Sequence, residues 1–444
     1  MLAPSSRALN LAAALVAACL LAPVSTVQAQ APAKPVTTTK KPAATSSKPK
    51  PKPGTAAKKP AKPVPPSPPP PPPAVELIGL IVMPADAMRA GPPSGQFDGE
   101  GRRSSAPRFE AQPVQGVSSI KPGTTAGAWW ALSDNGFGGK WNSSDYRLCI
   151  YLFDVRPRTE AGGDSRNALQ AVIELSDPAK FFPWRLAEEN SPERLLTGLD
   201  ADPESLVAMA DETFWIGDEM GPWLLHFSVD GELLAPPVEL PDNVRSADHP
   251  LVLAHADIPR LPHSRGLEAM DLAGDDKTLV SILEGTVAGD APKTLRLQRY
   301  DTSAGKWLGA TLIYELDADT SSVTDMSLIE GNRFAVIERD NQQGDAARAK
   351  RVYTIDLDRA LPGKPLQKKL VIDLLAIGNA RGLVVTTPAG APLRFPYLTA
   401  ESIQVLDRKH VVVVNDNNYP ATGGRGANVK DATEWIWLEL ANSL

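Results

Sequence analysis

Acidic side chains recur at matched positions in five copies of a short hairpin pattern. In each copy an apolar segment leads through a polar turn to a second apolar segment, and acids stand where the first segment begins and where the second ends. Because these two positions lie side by side at the open end of an antiparallel hairpin, we expect the acids of one copy to meet. The pairs are Glu204 with Asp218 and Glu219, Glu268 with Glu284, Asp325 with Glu338 and Asp340, and Glu401 with Asp416, whereas the first copy has Ser118 opposite Asp134.

Such a set of carboxylates favours binding of a hard cation. Carboxylates held close together repel one another, which raises their pKa values unless cations compensate. Calcium accepts about six to eight oxygen ligands, and Asn135, Asn415 and Asn417 stand next to the acids, whereas the five histidines make a zinc site less favoured. The alternative is that the acids only cap strands and solvate loops. The predicted calcium ligands are Asp134, Glu204, Asp218, Glu219, Glu268, Glu284, Asp325, Glu338, Glu401 and Asp416.

Basic residues stand beside these acids in the sequence. Arginine and lysine can hold an anionic substrate while a metal bridges it to carboxylates. Simple salt bridges that offset the acids are the alternative. The predicted substrate-binding residues are Arg265, Arg339, Lys350 and Arg351. The candidate catalytic residues are Glu268, Glu338 and Asp340.

One segment gathers three histidines, His249, His255 and His263, together with Asp248 and Asp257. A general base or a softer metal site is conceivable there, but a proline-rich loop with incidental histidines is the favoured interpretation. The chain has no G-x-S-x-G elbow, P-loop, Rossmann glycine fingerprint, H-E-x-x-H or paired C-x-x-C. Serine-esterase chemistry of the α/β-hydrolase kind is therefore disfavoured.

The elements that must position these residues are short strands. Segments rich in Val, Ile, Leu and aromatic residues alternate with turns rich in Gly, Asp and Asn, and a third strand follows each hairpin. Most copies add a fourth, as in ALQAVIEL, ATLIYEL and KKLVIDL. Four-stranded units repeated around an axis are typical of a β-propeller, which protects its sheet edges by closure. We therefore predict an all-β propeller with five readable four-stranded blades, with a sixth blade or a β-sandwich as alternatives.

The last copy has no fourth strand before Leu444, whereas VELIGLIV at 75–82 belongs to no copy. This segment is predicted to complete the last blade and close the ring. Loops between second and third strands then share a face with the acids, and binding residues favour loops on a rigid scaffold. The long segments on that face are 134–146, 284–293, 340–350, 416–432 and the crossover 241–264.

Composition divides the chain into three parts. Residues 1–29 are predicted to be a signal peptide, with a lipoprotein anchored at Cys19 as the less favoured alternative. Residues 30–74 are predicted to be a disordered linker, rich in proline and lysine, that can contact an anionic cell envelope. The chain carries −6 and its first 74 residues hold ten basic residues and no acid, so the propeller domain at 75–444 carries −16. This charge disfavours nucleic acid as a partner. The mature protein is predicted to be an exported monomer, either periplasmic or secreted.

Several stretches carry a family pattern. They are DPESLVAMADETFWIGDEMGPWLLHFSVDGELL, SRGLEAM, MSLIEGNRFAVIERDN, KRVYTIDL, and TAESIQVL with VVVNDNNY. They resemble the phytase-like domain family, also called "esterase-like activity of phytase", from about residue 112 to 440. The resemblance implies an exported propeller related in name to Ca²⁺-dependent alkaline phytases. The family pattern falls on Glu204, Asp218, Glu219, Arg265, Glu268, Glu338, Arg339, Lys350, Arg351, Glu401, Asn415 and Asp416.

The chain also departs from that pattern. QGVSSI replaces an expected glycine pair near Ser118, and SILEGT lacks the usual apolar-Gln-Ser stretch near Glu284. DADPES matches the Asp-rich signature of true β-propeller phytases only in part, so phytate is not implied as the substrate.

We expect a metal-assisted hydrolase of phosphoesters or other esters, with Ca²⁺ as cofactor and an anionic small molecule or ester as substrate. The alternative is a non-catalytic propeller that presents its loop face to a cell-envelope polymer or a protein partner. A lactonase-like or oxidoreductase propeller is a third, less favoured interpretation.

Overall fold

The computed structural model describes residues 75–387 and 391–444. The predicted signal peptide, its Cys19 and the predicted linker lie outside the described residues and stay predictions. Within the described ranges, no helix is both long and apolar enough to cross a membrane.

Nearly all regular structure in these residues is antiparallel β. Strand β1 (Val75–Met83) precedes a small hairpin of β2 (Met88–Arg89) and β3 (Gln112–Pro113). The first blade consists of β4 (Val117–Pro122), β5 (Ala128–Ser133), β6 (Cys149–Arg156) and β7 (Arg166–Glu174). The second consists of β8 (Pro203–Ala208), β9 (Phe214–Asp218), β10 (Trp223–Phe227) and β11 (Val238–Glu239).

The third blade has two short outer strands, both paired with its third strand. It consists of β12 (Leu267–Leu272), β13 (Thr278–Leu283), β14 (Thr294–Asp301), β15 (Lys306–Trp307) and β16 (Leu312–Glu315). The fourth consists of β17 (Ser322–Glu330), β18 (Arg333–Arg339), β19 (Lys350–Asp356) and β20 (Lys368–Asp373). The fifth adds β21 (Ala400–Val405), β22 (His410–Asn415) and β23 (Thr433–Leu440). The helical elements are α1 (Pro250–Leu253) and the 3₁₀ turns Pro241–Asn243, Gly344–Ala346 and Leu357–Arg359.

The innermost strands β4, β8, β12, β17 and β21 contact one another in a closed cycle around a central channel. A separate hydrophobic core fills the space between each pair of adjacent blades. Side-chain alternation along each strand divides its residues between two cores. On β13, Val280 and Ile282 pack toward the fourth blade, whereas Leu279 and Leu283 pack toward the second. The predicted all-β propeller with five blades is confirmed, and the described residues contain no sixth blade.

Strand β1 completes the fifth blade, whose strand order is β21-β22-β23-β1. Leu77 pairs with Leu438 and Ile81 with Trp435, so the first described strand is joined to the last. The predicted closure by residues 75–82 is confirmed.

Every innermost strand carries a β-bulge at the end where it enters the blade. One extra residue is inserted relative to the partner strand at Ser118, Glu204, Glu268 and Glu401, and within the pair Thr324–Asp325. A bulge takes a residue out of the normal alternation and re-aims its side chain. One polar side chain in each blade is thereby released from the packing between blades.

Candidate functional site

The mouth of the channel holds a cavity of about 280 Å³, which we call the carboxylate cavity. Its acidic lining residues come from four blades and are Asp134, Asp202, Glu204, Glu219, Glu268, Glu284, Glu401 and Asp416. The lining also contains Asn135, Ser264, Arg265, Arg339, Thr399 and Asn418. Two arginines therefore face eight acids.

Two positions of the repeated hairpin supply most of these acids. The bulges of β8, β12 and β21 present Glu204, Glu268 and Glu401. The ends of the second strands β9 and β13 present Glu219 and Glu284 directly after the last paired residue. Asp134 and Asp416 occupy the corresponding positions after β5 and β22. The structure brings the two ends of the hairpins together around one mouth.

Six of the acids form three overlapping triads. Within each triad the carboxylate oxygens lie within 4.8 Å of one another. The triads are Asp202–Glu204–Glu219, Glu204–Glu268–Glu401 and Glu219–Glu268–Glu284. Because Glu204, Glu219 and Glu268 each belong to two triads, the six carboxylates form one continuous group.

Burial raises the pKa values of these carboxyl groups, since the charged form loses contact with water. For Glu204, Glu219 and Glu268 the charges of neighbouring acids add to the effect, and their pKa values lie well above the ordinary value. Burial raises the pKa of Glu401 to about 7 and that of Asp416 to about 6. The guanidinium of Arg339 limits the rise at Glu401, and backbone N–H donors limit it at Asp416.

Two guanidinium groups offset part of this negative charge. Arg339 is buried, and its nitrogens lie 3.6 Å from Glu284 Oε1 and 3.7 Å from Glu401 Oε2. Arg265 pairs with Glu284, but its side chain is 37% exposed. Arg339 is therefore part of the cavity wall, whereas Arg265 stands at the rim where a ligand can reach it.

Three oxygens of the cavity lack a hydrogen-bond donor among the described residues. They are Glu219 Oε1, Glu284 Oε1 and Glu401 Oε2, and all three are buried. The last two face Arg339 at 3.6 and 3.7 Å, beyond hydrogen-bond distance, whereas Glu219 Oε1 has no such pair in the described part of the chain. Most buried polar atoms in proteins have a partner, so Glu219 Oε1 indicates a missing cation or donor. The acidic lining offers only oxygen ligands, and oxygen is what hard divalent cations such as Ca²⁺ prefer. The residues present fit a metal ion.

Asp218, a predicted ligand, lies in the wall and outside the cavity. Its carboxylate accepts hydrogen bonds from the backbone N–H groups of Asp202 (2.8 Å) and Gly221 (2.6 Å). Asp218 therefore shapes the loop that presents Asp202 and has no free oxygen directed at the triads.

Asp325, also predicted as a ligand, does not reach the cavity either. It accepts a hydrogen bond from the Ile403 N–H group (3.0 Å), and its carboxylate lies close to the Lys121 ammonium. The bulge of the fourth blade spans two residues, and the Thr324 hydroxyl donates to the Ala400 carbonyl oxygen of the next inner strand (2.8 Å). The bulge of the fourth blade therefore contributes no side chain to the lining of the cavity.

Glu338, predicted as a ligand and a catalytic residue, points away from the cavity. It accepts hydrogen bonds from the hydroxyl groups of Tyr314 (2.6 Å) and Thr320 (2.7 Å) and pairs with Lys368. Successive residues of a strand face opposite sides. Because Arg339 reaches the cavity, Glu338 must face the third blade, where it holds two blades together.

Three further predicted site residues do not line the cavity. Asp340 stabilises the loop between β18 and β19: it accepts a hydrogen bond from the Arg348 N–H group (2.6 Å) and pairs with the buried Lys350 (3.1 Å). Arg351 pairs with Asp319 (2.7 Å), in the segment between β16 and β17. These contacts correspond to the salt-bridge alternative for Lys350 and Arg351 and to the loop-stabilising alternative for Asp340.

Asp202 was missed by the sequence analysis although it belongs to a triad. It accepts hydrogen bonds from the Asn135 N–H group (3.2 Å) and the Ser264 hydroxyl (3.1 Å). The signal was its position two residues before Glu204 in DADPES, which places both acids on one side of an extended chain.

The three clustered histidines do not line the carboxylate cavity in the described part of the chain. His249 is buried and caps α1, accepting a hydrogen bond from the Leu251 N–H group (3.0 Å). His263 is 71% exposed and lies 2.8 Å from Asp248. The favoured interpretation of these residues as loop histidines agrees with this placement.

The raised pKa values predict an unusual pH dependence of stability. A carboxyl group whose folded-state pKa lies above its unfolded value stabilises the fold when protonated, and this stability is lost as pH rises through the folded-state pKa. For Glu401 and Asp416 the loss falls between about pH 5 and pH 8. With a chelator present, we expect the free energy of unfolding to be higher at pH 5 than at pH 8, on the order of 3 kcal/mol. Urea unfolding at both pH values measures this, and a higher stability at pH 8 would contradict it.

Comparisons with known proteins identify a family. A family model described as "Phytase-like: Esterase-like activity of phytase" matches residues 112–419. No curated protein matches the chain.

Similar solved structures include a luciferin-regenerating enzyme (TM-score 0.37, 11% identity, 84% of this chain and 97% of that chain). The catalytic domain of the GH62 α-L-arabinofuranosidase from Coprinopsis cinerea has a TM-score of 0.37 and 12% identity, over 83% of this chain and 98% of that chain. The PQQ-bound aldose sugar dehydrogenase from Streptomyces coelicolor has a TM-score of 0.33 and 12% identity, over 83% and 99%. At this level the likenesses carry no argument about activity.

Proposed function

Because the chain belongs to the phytase-like family, we propose that it is a metal-assisted hydrolase of phosphoesters or other anionic esters, with Ca²⁺ bound in the carboxylate cavity. The observation that carries this proposal is the group of three overlapping carboxylate triads, in which three buried oxygens accept no hydrogen bond and only two of them face Arg339. A cluster of buried acids that served only to cap strands would have those oxygens hydrogen-bonded.

Ca²⁺ would be held by the central triad of Glu204, Glu268 and Glu401, with Glu219 and Glu284 on its flank. When bound, the ion supplies positive charge that polarises the ester and makes a water molecule more acidic. Arg339 holds Glu284 and Glu401 in place from the wall.

The chain also offers a pair of acids for proton transfer outside the triads. Asp416 is fixed by the N–H groups of Gly116 and Asn418, both 2.9 Å from its Oδ1. Its pKa of about 6 leaves it ionised near neutral pH and able to accept a proton from water. In the metal-free protein, burial and the charge of Asp416 hold the pKa of Asp134 well above the ordinary value, which suits Asp134 to the role of proton donor. Two neighbouring acids with separated pKa values are suited to base and acid roles.

Arg265 supplies the contact to the anionic substrate. It stands at the rim, and its side chain is 37% exposed beside Glu284. A guanidinium can bind two oxygens of a phosphate or carboxylate at once. Substrate anions would therefore be held on the side of the cavity opposite Asp134 and Asp416, which come from the first and fifth blades.

The experiment is a hydrolysis assay with phosphomonoesters, phytate and short acyl esters, with Ca²⁺ and with chelator. We expect turnover only with the metal, a loss of kcat of about 100-fold in Asp416→Asn, and an increase in KM in Arg265→Ala. His263→Ala is the control, because this side chain is 71% exposed and does not line the cavity, and it should keep both constants. Absence of turnover with any divalent metal would favour the alternative of a non-catalytic binding propeller.

A further inference from the structure

A second cavity of about 240 Å³ opens beside the carboxylate cavity, and Gly138 and Asn418 line both. We call it the aromatic cleft. Three chain segments build it, namely the excursion between β2 and β3, the loop between β5 and β6, and the loop after β22. The lining residues that matter for binding are Phe97, Arg108, Phe137, Asn142, Asn418 and Tyr419. A ligand that occupies the cleft can therefore extend into the carboxylate cavity.

The aromatic wall of the cleft is rigidly supported. Phe109 lies behind it and packs on Phe137 (ring centroids 5.8 Å apart) and on Tyr419 (5.4 Å). The excursion that carries Phe97 is fixed because Asp145 accepts the Gly95 N–H group at 2.9 Å and the next N–H group at 2.7 Å. The cleft is thus formed before any ligand arrives, which lowers the entropic cost of binding.

The polar groups of the cleft are placed to bind hydroxyl groups. The side-chain amide of Asn142 donates a hydrogen bond to the Phe137 carbonyl oxygen (2.8 Å), and that of Asn418 donates one to the Thr399 hydroxyl (2.6 Å). These hydrogen bonds fix the orientation of both side chains. Arg108 lies over the ring of Phe109 and forms no ion pair among the described residues. Each amide uses one N–H group in these bonds and keeps a second, so an apolar aryl group would cover these remaining N–H groups without giving them a partner, which is costly. A ring with one apolar face and several hydroxyl groups satisfies both walls.

We propose that the aromatic cleft binds the pyranose ring of a sugar ester, so that its phosphate or acyl ester reaches the carboxylate cavity. The location of the ester rests on the proposed function, whereas binding of the ring does not. Gly138, which lines the cleft, has a φ of +77° and open space where a side chain would stand, so the ring can approach the loop backbone closely there. Sugar phosphates and acylated sugars are therefore the substrate class.

The test separates the ring from the ester. Neutral methyl glycosides of glucose, galactose and mannose are titrated into the full chain with Ca²⁺ and followed by saturation-transfer NMR. We expect at least one glycoside to bind through its ring protons, and Phe97→Ala and Asn142→Leu to weaken this binding at least tenfold. Trp141→Ala is the matched control, because this aromatic side chain belongs to the same loop, is 47% exposed and does not line the cleft. Absence of saturation transfer to all three glycosides would overturn the proposal.

Glucose 6-phosphate, glycerol 3-phosphate and phenyl phosphate then compare cyclic, acyclic and aryl groups in calorimetric titrations. We expect the sugar phosphate to bind at least tenfold more tightly than glycerol 3-phosphate, and Phe97→Ala to remove that preference. Equal affinities, or tightest binding of phenyl phosphate, would contradict a pyranose site. Glycoside binding without any ester hydrolysis would preserve this inference and refute the proposed function alone.

Discussion

A chain shortened to begin at Pro84 is expected to lose the closed ring and to aggregate. The change removes β1, which forms the outer strand of the fifth blade and pairs with β23 along its whole length. The buried apolar side chains of β1 are Val75, Leu77, Leu80, Ile81 and Met83. Each contributes roughly 1.5–3 kcal/mol through burial. Their sum, on the order of 10 kcal/mol, is comparable to the whole stability of a typical domain.

Loss of β1 also exposes the edge of β23, whose backbone N–H and C=O groups can then pair with another chain. Size-exclusion chromatography with light scattering and thermal melting measure the outcome. The control is a chain that begins at Val75, which keeps every described strand and should remain monomeric with the melting temperature of the full chain. If the chain starting at Pro84 stays monomeric and melts normally, the ring does not depend on β1.

Substitution of Glu268 is expected to lower Ca²⁺ affinity without lowering stability, whereas substitution of Glu338 is expected to lower stability without lowering Ca²⁺ affinity. Glu268→Gln removes a charge shared by two triads, so Ca²⁺ affinity should fall at least tenfold, about 1.4 kcal/mol. The metal-free protein should not be destabilised, because the repulsion within the cavity is reduced. Glu338→Gln leaves Ca²⁺ affinity unchanged but disrupts the contacts with Tyr314, Thr320 and Lys368, at a cost of roughly 3 kcal/mol of unfolding free energy.

Calorimetric Ca²⁺ titration and urea unfolding on both variants distinguish the two roles. In the parent protein, Ca²⁺ at about 100 times its Kd should stabilise the fold by ~2.7 kcal/mol, and a chelator should remove this gain. Loss of stability in Glu268→Gln with unchanged Ca²⁺ affinity would refute the metal site. Because both substitutions replace glutamate by glutamine, any difference between the two variants comes from where the residue lies in the structure.

The propeller could be predicted from the sequence because its signal is periodic. Every blade repeats short apolar strands. The segment at 75–82 belongs to no repeat, and the last repeat is the one that lacks a fourth strand, so the two could be matched. The site was harder to predict because the direction of each side chain depends on β-bulges, and a β-bulge produces no periodic pattern in the sequence. Asp325 occupies nearly the position of Glu268 in its copy, yet its bulge spans two residues and its carboxylate accepts the Ile403 N–H group of the next inner strand.

The alternation of side chains along a strand explains why Glu338, a predicted site residue, does not line the cavity. Glu338 and Arg339 are neighbours, so only one of them can face the cavity. Nothing in IERD distinguishes the two orientations, and only the register of β18 against β17 assigns the arginine to the mouth. Lys350 and Asp340 likewise combine as a local pair that stabilises a loop. Charge alone could not separate such pairs from ligand-binding residues.

Because β1 pairs with β23, the fifth blade cannot be completed until nearly the whole chain has been synthesised. Met83 pairs with Thr433, about 350 residues further along the chain. At about 5–20 residues per second, a ribosome needs roughly 20–70 s to make the partner after β1. Throughout that interval the backbone of β1 lacks its native strand partner, and the strand must be kept from pairing with other chains. A chain whose synthesis stops before Thr433 cannot close the ring, however many blades it already contains. Closure occurs only when the last strand has been synthesised.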